Sequence, residues 1–176
     1  MYLVSFKKPT INNIDTKTEQ DTLGQLHNIT EMHHNLLLAD DDIDDCTFFE
    51  DALEELPISA TLLTVNDGVQ LMNFLSANSG NLPDTLFLDL NMPRKSGFDC
   101  LSEIKLIDQL KHLPVIIFST SLNMEVVDLL YQKGAHYYIR KPGEYDKLKK
   151  VILEAVTLTS KNKLTRPTRD KFILHS

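Results

Sequence analysis

Five of the six residues from Asp40 to Asp45 are aspartates, interrupted only by Ile43. Two of them, Asp40 and Asp41, directly follow the apolar run Leu36-Leu37-Leu38-Ala39. Asp89 closes a second such segment, Thr85 to Leu88. Ser119 closes a third, Val115 to Phe118, and Lys141 stands just past a fourth, His136 to Ile139. Like charges that converge on one spot repel. A divalent cation is the usual remedy, and carboxylate oxygens plus water suit magnesium. A serine hydroxyl and a lysine ammonium beside them add partners for an anion with several oxygens, such as a phosphoryl group. An aspartate carboxylate is also a competent nucleophile that forms an acyl phosphate.

These residues meet only if the segments before them lie side by side. The pattern provides for that. Leu36–Ala39, Ile58–Val65, Thr85–Leu88, Val115–Phe118 and His136–Ile139 read as strands. Ile43–Leu56, Val69–Leu75, Phe98–Leu106, Met124–Tyr131 and Glu144–Leu158 carry apolar residues near helical spacing. Five strands and five helices alternate, which implies right-handed crossovers and a doubly wound α/β fold with a parallel sheet. Several strand runs are continuously apolar, as expected where helices cover both faces. In such folds ligands bind beyond the carboxyl ends of the strands, where the residues above stand.

Composition narrows the function further. The 176 residues carry a formal net charge of -7, with 42% hydrophobic and 24% charged residues, as in an ordinary globular protein. Residues 35–156 hold twenty of the acids against ten bases. That balance argues against nucleic acid as a partner, because phosphate contacts need Lys and Arg. No stretch approaches a membrane span, and the N-terminus lacks a signal-peptide core. Cys46 and Cys100 have no metal spacing and read as free thiols of a cytoplasmic protein. Residues 1–34 are polar and read as an extension, with a short helical stretch near 17–27. Residues 159–176 form a basic tail ending in Phe172-Ile173-Leu174. That triplet either docks on the domain, docks on a second copy as a homodimer, or frays.

Four segments together resemble the response-regulator receiver domain of two-component signalling: LLLADDD at 36–42, DTLFLDLNMPRKSG at 84–97, PVIIFSTS at 114–121 and YYIRKP at 137–142. The resemblance covers about 35–156, within a domain placed at 35–158. It implies a flavodoxin-like sheet in the order 2-1-3-4-5. It also implies Asp89 as phospho-acceptor, and Mg2+ held by Asp41 and Asp89 directly, by Asp40 through water and by the Asn91 backbone carbonyl. Lys141 would bridge to the phosphoryl oxygens, aimed by a cis bond before Pro142. Ser119 would be the switch hydroxyl, with Thr120 and Ser121 as rivals in the same loop, and Tyr138 its partner aromatic or else static core. Gly97 would relieve crowding behind Asp89. The donor would be a histidine kinase or histidine phosphotransfer protein, and the downstream target a protein the sequence does not name. Magnesium-dependent self-phosphorylation and self-dephosphorylation would be the only chemistry.

The remaining acids have plainer readings. Asp44 and Asp45 fit a solvated helix start, and Asp42 is peripheral. His33, His34, His112 and His136 lack ligand spacing. Thr120 is bulkier than the small residue usual after the switch hydroxyl and is expected to restrict access to the phosphoryl group. About twenty residues after the last helix leave no room for an output domain, so a stand-alone receiver is expected. Two rivals stand beside this reading. A phosphohydrolase of the haloacid-dehalogenase type would need an acid where Asn91 stands. A phosphorylation-independent scaffold would not need the full Asp40, Asp41, Asp89, Ser119 and Lys141 set.

Overall fold

In the computed structural model, which describes residues 2–6, 32–161 and 165–175, the run Leu36-Leu37-Leu38-Ala39 lies in a central strand, β2 (His33–Ala39). Side chains alternate across a strand, so Leu36 and Leu38 enter one core and Leu37 and Ala39 the other. The first core packs against α1 (Ile43–Glu54) and α5 (Tyr145–Lys161). The second packs against α2 (Gly68–Ala77), α3 (Gly97–Leu106) and α4 (Met124–Gln132). Two covered faces explain why the run is apolar without interruption.

The other parallel strands are β3 (Ser59–Val65), β4 (Thr85–Leu88), β5 (Val115–Ser119) and β6 (Tyr137–Arg140). They lie in the order β3-β2-β4-β5-β6, the 2-1-3-4-5 arrangement expected. Four of the five helix starts are fixed by a short polar side chain that accepts from orphan backbone N–H groups. Asp42 caps α1, Asp67 α2, Ser96 α3 and Asn123 α4. Helix α5 runs to Lys161, past the expected end at 158, because Thr159 faces inward and its hydroxyl meets that of Thr85 at 2.8 Å.

Two strands were not expected. Residues Tyr2–Phe6 form β1, which pairs antiparallel with β3 from Tyr2 opposite Thr64 to Phe6 opposite Ala60. The first residues are thus part of the sheet rather than a plain extension. The helical stretch expected near 17–27 lies outside the described residues. At the other side Ile173–Leu174 form β7, parallel to β6. Of the readings of the tail, docking on its own domain is the one observed. Phe172 is fully buried against Tyr131 and Tyr138, at ring-centroid distances of 5.1 and 6.4 Å. Arg169 pairs with Asp128 at 2.6 Å.

Candidate functional site

Sheet pairing carries the chain past each strand end and delivers the polar residues to one place. The Asp40 N–H donates to Val65 O at 3.0 Å and the Asp89 N–H to Ala39 O at 2.9 Å. The Lys141 N–H donates to Ser119 O at 2.9 Å. Asp40 and Asp89 are therefore neighbours at the carboxyl ends of β2 and β4, both buried, with Asp41 exposed beside them. Carboxylate oxygens of Asp40, Asp41 and Asp89 all lie within 4.8 Å of one another. Three hard oxygen donors at that spacing, two buried and one open to water, fit a cation such as Mg2+, which keeps several waters and takes few carboxylates.

Lys141 meets this cluster from the end of β6, with its side chain only 9% exposed. Its ammonium lies 2.7 Å from Asp40 Oδ2, 2.6 Å from Asp45 Oδ2 and 3.5 Å from Asp89 Oδ1. Burial alone would lower its pKa, but the hydrogen bonds it donates to Asp40 and Asp45 outweigh that and push the pKa up. Burial raises Asp40 to about 6, against the opposing pull of Lys141. No described peptide bond is cis, so the bond before Pro142 is trans, contrary to expectation. Trans is the lower-energy form of an X-Pro bond by about 0.5–1 kcal/mol, and the ion pairs direct Lys141 inward without the other isomer.

The loop after Asp89 folds back tightly. The Asn91 N–H donates to Asp89 Oδ2 at 2.7 Å, and the Gly97 N–H donates to Leu90 O at 3.0 Å. A Cβ on Gly97 would sit 2.0 Å from Asp89 O, so only glycine fits. Arg94, at a φ of 65°, donates to the Asp67 carboxylate and ties this loop to the cap of α2.

Ser119 ends β5 fully buried, and its Oγ has no hydrogen-bond partner among the described residues. Its rivals Thr120 and Ser121 are exposed. Tyr138 is also buried, and its hydroxyl donates to the Ser121 carbonyl. The described histidines do not join the cluster. His33 bonds Ser59 and Thr61, and buried His136 accepts from the Val115 N–H at 3.3 Å. Burial pushes the Cys46 and Cys100 thiols up to about 12 and 11, so neither is a reactive thiolate.

Sequence reasoning missed Asp45. Read as a solvated helix start, it instead holds Lys141. Its partner lies 96 residues away, and no local pattern announces such a pair. Asp42 and Asp44 keep their plainer roles: Asp42 Oδ1 caps α1, and Asp44 is exposed.

The sequence profile of the response regulator receiver domain matches residues 36–153. Response regulator Rcp1 of Synechocystis sp. is 31% identical over 134 residues, covering 70% of this chain and 91% of Rcp1. The solved Mn2+-bound form of Rcp1 aligns with a TM-score of 0.62 at 29% identity, over 77% of this chain and 99% of that one. The phosphorylated cyanobacterial phytochrome response regulator RcpA aligns with a TM-score of 0.64 at 30% identity, over 78% of this chain and 100% of that one.

Proposed function

The chain belongs to the response regulator receiver domain family, and on that premise we propose that Asp89 accepts a phosphoryl group from a phosphohistidine on a histidine kinase or phosphotransfer protein. A carboxylate oxygen of Asp89 attacks phosphorus as the N–P bond breaks. The imidazole keeps the bonding electrons, and an acyl phosphate remains on Asp89. Hydrolysis of that mixed anhydride by water returns the carboxylate, and acetyl phosphate serves as a small-molecule donor in place of the kinase. The observation that carries this reading is the convergence of Asp40, Asp41 and Asp89 within 4.8 Å, with the Lys141 ammonium 3.5 Å from Asp89.

The residues divide the work. Asp41 and Asp89 would hold Mg2+ directly, Asp40 through water and Asn91 through its backbone carbonyl. The metal supplies charge neutralisation for the phosphoryl oxygens. Lys141 orients those oxygens by hydrogen bonds. Ser119 is the switch hydroxyl: a buried hydroxyl without a partner costs about 1–3 kcal/mol, and a phosphoryl oxygen on Asp89 would supply that partner. Tyr138, tied through Ser121 to the loop after Ser119, follows that movement and alters the α4–β6 face for a protein target. As the receiver of a kinase's phosphoryl group, the chain would act as a cytoplasmic signalling module. No helix among the described residues is long and apolar enough to cross a membrane.

The phosphohydrolase reading finds no acid two residues past Asp89, where Asn91 donates its backbone N–H to the carboxylate instead. The test is beryllofluoride or acetyl phosphate added with Mg2+ while backbone amide NMR shifts are recorded. The wild type is expected to shift around Ser119 and Tyr138, and Asp89→Asn to stay silent. A silent wild type refutes the proposal.

A further inference from the structure

Asp45 makes the closest contact to Lys141 in the site, and the phosphoryl-transfer reading gives it nothing to do. The ammonium has three N–H groups. One goes to Asp40 at 2.7 Å and one to Asp45 at 2.6 Å, while Asp89 Oδ1 stays at 3.5 Å, beyond good hydrogen-bonding distance. The plain account of Asp45 is an acid in the first turn of α1, favoured by the helix dipole. The structure argues against that as the whole account. The N–H groups of Asp44 and Asp45 are already taken by Asp42 Oδ1. The Asp45 carboxylate turns to the buried lysine instead and keeps only 39% side-chain exposure.

We infer that Asp45 is a positioning residue for Lys141: it holds the ammonium away from Asp89 at rest and competes with the phosphoryl group for it afterwards. The inference rests on the proposed phosphorylation of Asp89. A phosphoryl group adds about 1.5 to 2 negative charges, and its oxygens draw the ammonium, whose third N–H is uncommitted, toward Asp89 and away from Asp45. The Asp45–Lys141 bond at 2.6 Å opposes that shift, because the ammonium stretches it in closing the 3.5 Å gap to Asp89. The Asp45 carboxylate also repels the new charge. Asp45 thus limits how firmly the phosphorylated state is held and shortens its lifetime.

The experiment titrates beryllofluoride into the full chain with Mg2+ and reads amide NMR shifts. Four proteins are compared: wild type, Asp45→Asn, Asp45→Glu and Asp44→Asn. Asp45→Asn is expected to bind about fivefold more tightly, the size of a partly exposed ion pair. Asp45→Glu keeps the charge and is expected within about twofold of the wild type. Asp44→Asn removes the same charge one residue away, from an exposed side chain, and is expected to change nothing. A gain in affinity is not what mere structural damage produces. Unchanged or weaker binding by Asp45→Asn overturns the inference, as does an equal gain from Asp44→Asn or Asp45→Glu. Each of those results leaves the receiver reading standing if the wild type responds. A wild type that never responds overturns both.

Discussion

Asp40, Asp45 and Asp89 share the half-buried Lys141 ammonium, and the backbone around Asp89 leaves little room for error in that arrangement. Gly97 shows how little. Its missing side chain is what lets the Asp89 carbonyl approach, and a Cβ there would meet that oxygen at 2.0 Å. Backbone cannot swing aside as a flexible side chain does. Gly97→Ala is therefore expected to cost about 2 kcal/mol or more in urea unfolding and to weaken beryllofluoride binding as Asp89 shifts. A variant as stable as the wild type would show that the loop relaxes freely. Much of the candidate site was legible at this scale. Asp40, Asp41, Asp89, Ser119 and Lys141 each follow a buried run, and a parallel sheet brings run ends together. The Lys141–Asp45 and Arg94–Asp67 pairs were not legible, because ion pairs between distant segments leave no periodic trace in the sequence.

At the scale of elements, each central strand announced itself through an apolar run and each helix through apolar residues near helical spacing. The two outer strands did not, for a physical reason. β7 has only two residues, and β1 is a five-residue, largely apolar run at the head of an otherwise polar segment, with its pairing partner some sixty residues on. A short segment that pairs at a sheet border needs no period of its own, because its partner strand supplies the order. Phe172 is what fastens β7. The Tyr138 N–H donates to Phe172 O at 2.9 Å, and the two rings meet. Phe172→Ala is expected to release the tail rather than unfold the domain, since the loss falls on a small local unit. Hydrogen exchange would show it: protection of the Tyr138 amide should drop at least about tenfold while the β2 amides hold. Unchanged protection at Tyr138 would mean the tail stays down without its aromatic anchor.

For the whole molecule, the informative titration sits far from the acidic cluster. Burial, with the nearby charges of Lys105 and Arg166, lowers His136 to about 3 from an ordinary 6.5. The unfolded chain then binds this proton below about pH 6.5, and the folded chain does not until about pH 3. Stability from this residue is thus present above pH 6.5 and is lost as pH falls through that window, by up to about 1.4 kcal/mol per pH unit. Urea midpoints from pH 7 to 4.5 should fall more steeply in the wild type than in His136→Asn, whose side-chain oxygen replaces the acceptor for the Val115 N–H. Parallel curves would place the acid sensitivity elsewhere.

The two border strands also decide which backbone edges the sheet presents to other molecules. A five-stranded open sheet has two rims of unpaired N–H and C=O groups, each a template for strand addition by a neighbouring molecule. Here residues near the start of the chain line one rim and residues near its end the other. A fragment trimmed to the family-matched 36–153 would keep the site residues and lose both linings. It would bare the longer edges of β3 and β6 and is expected to self-associate more than the full chain does.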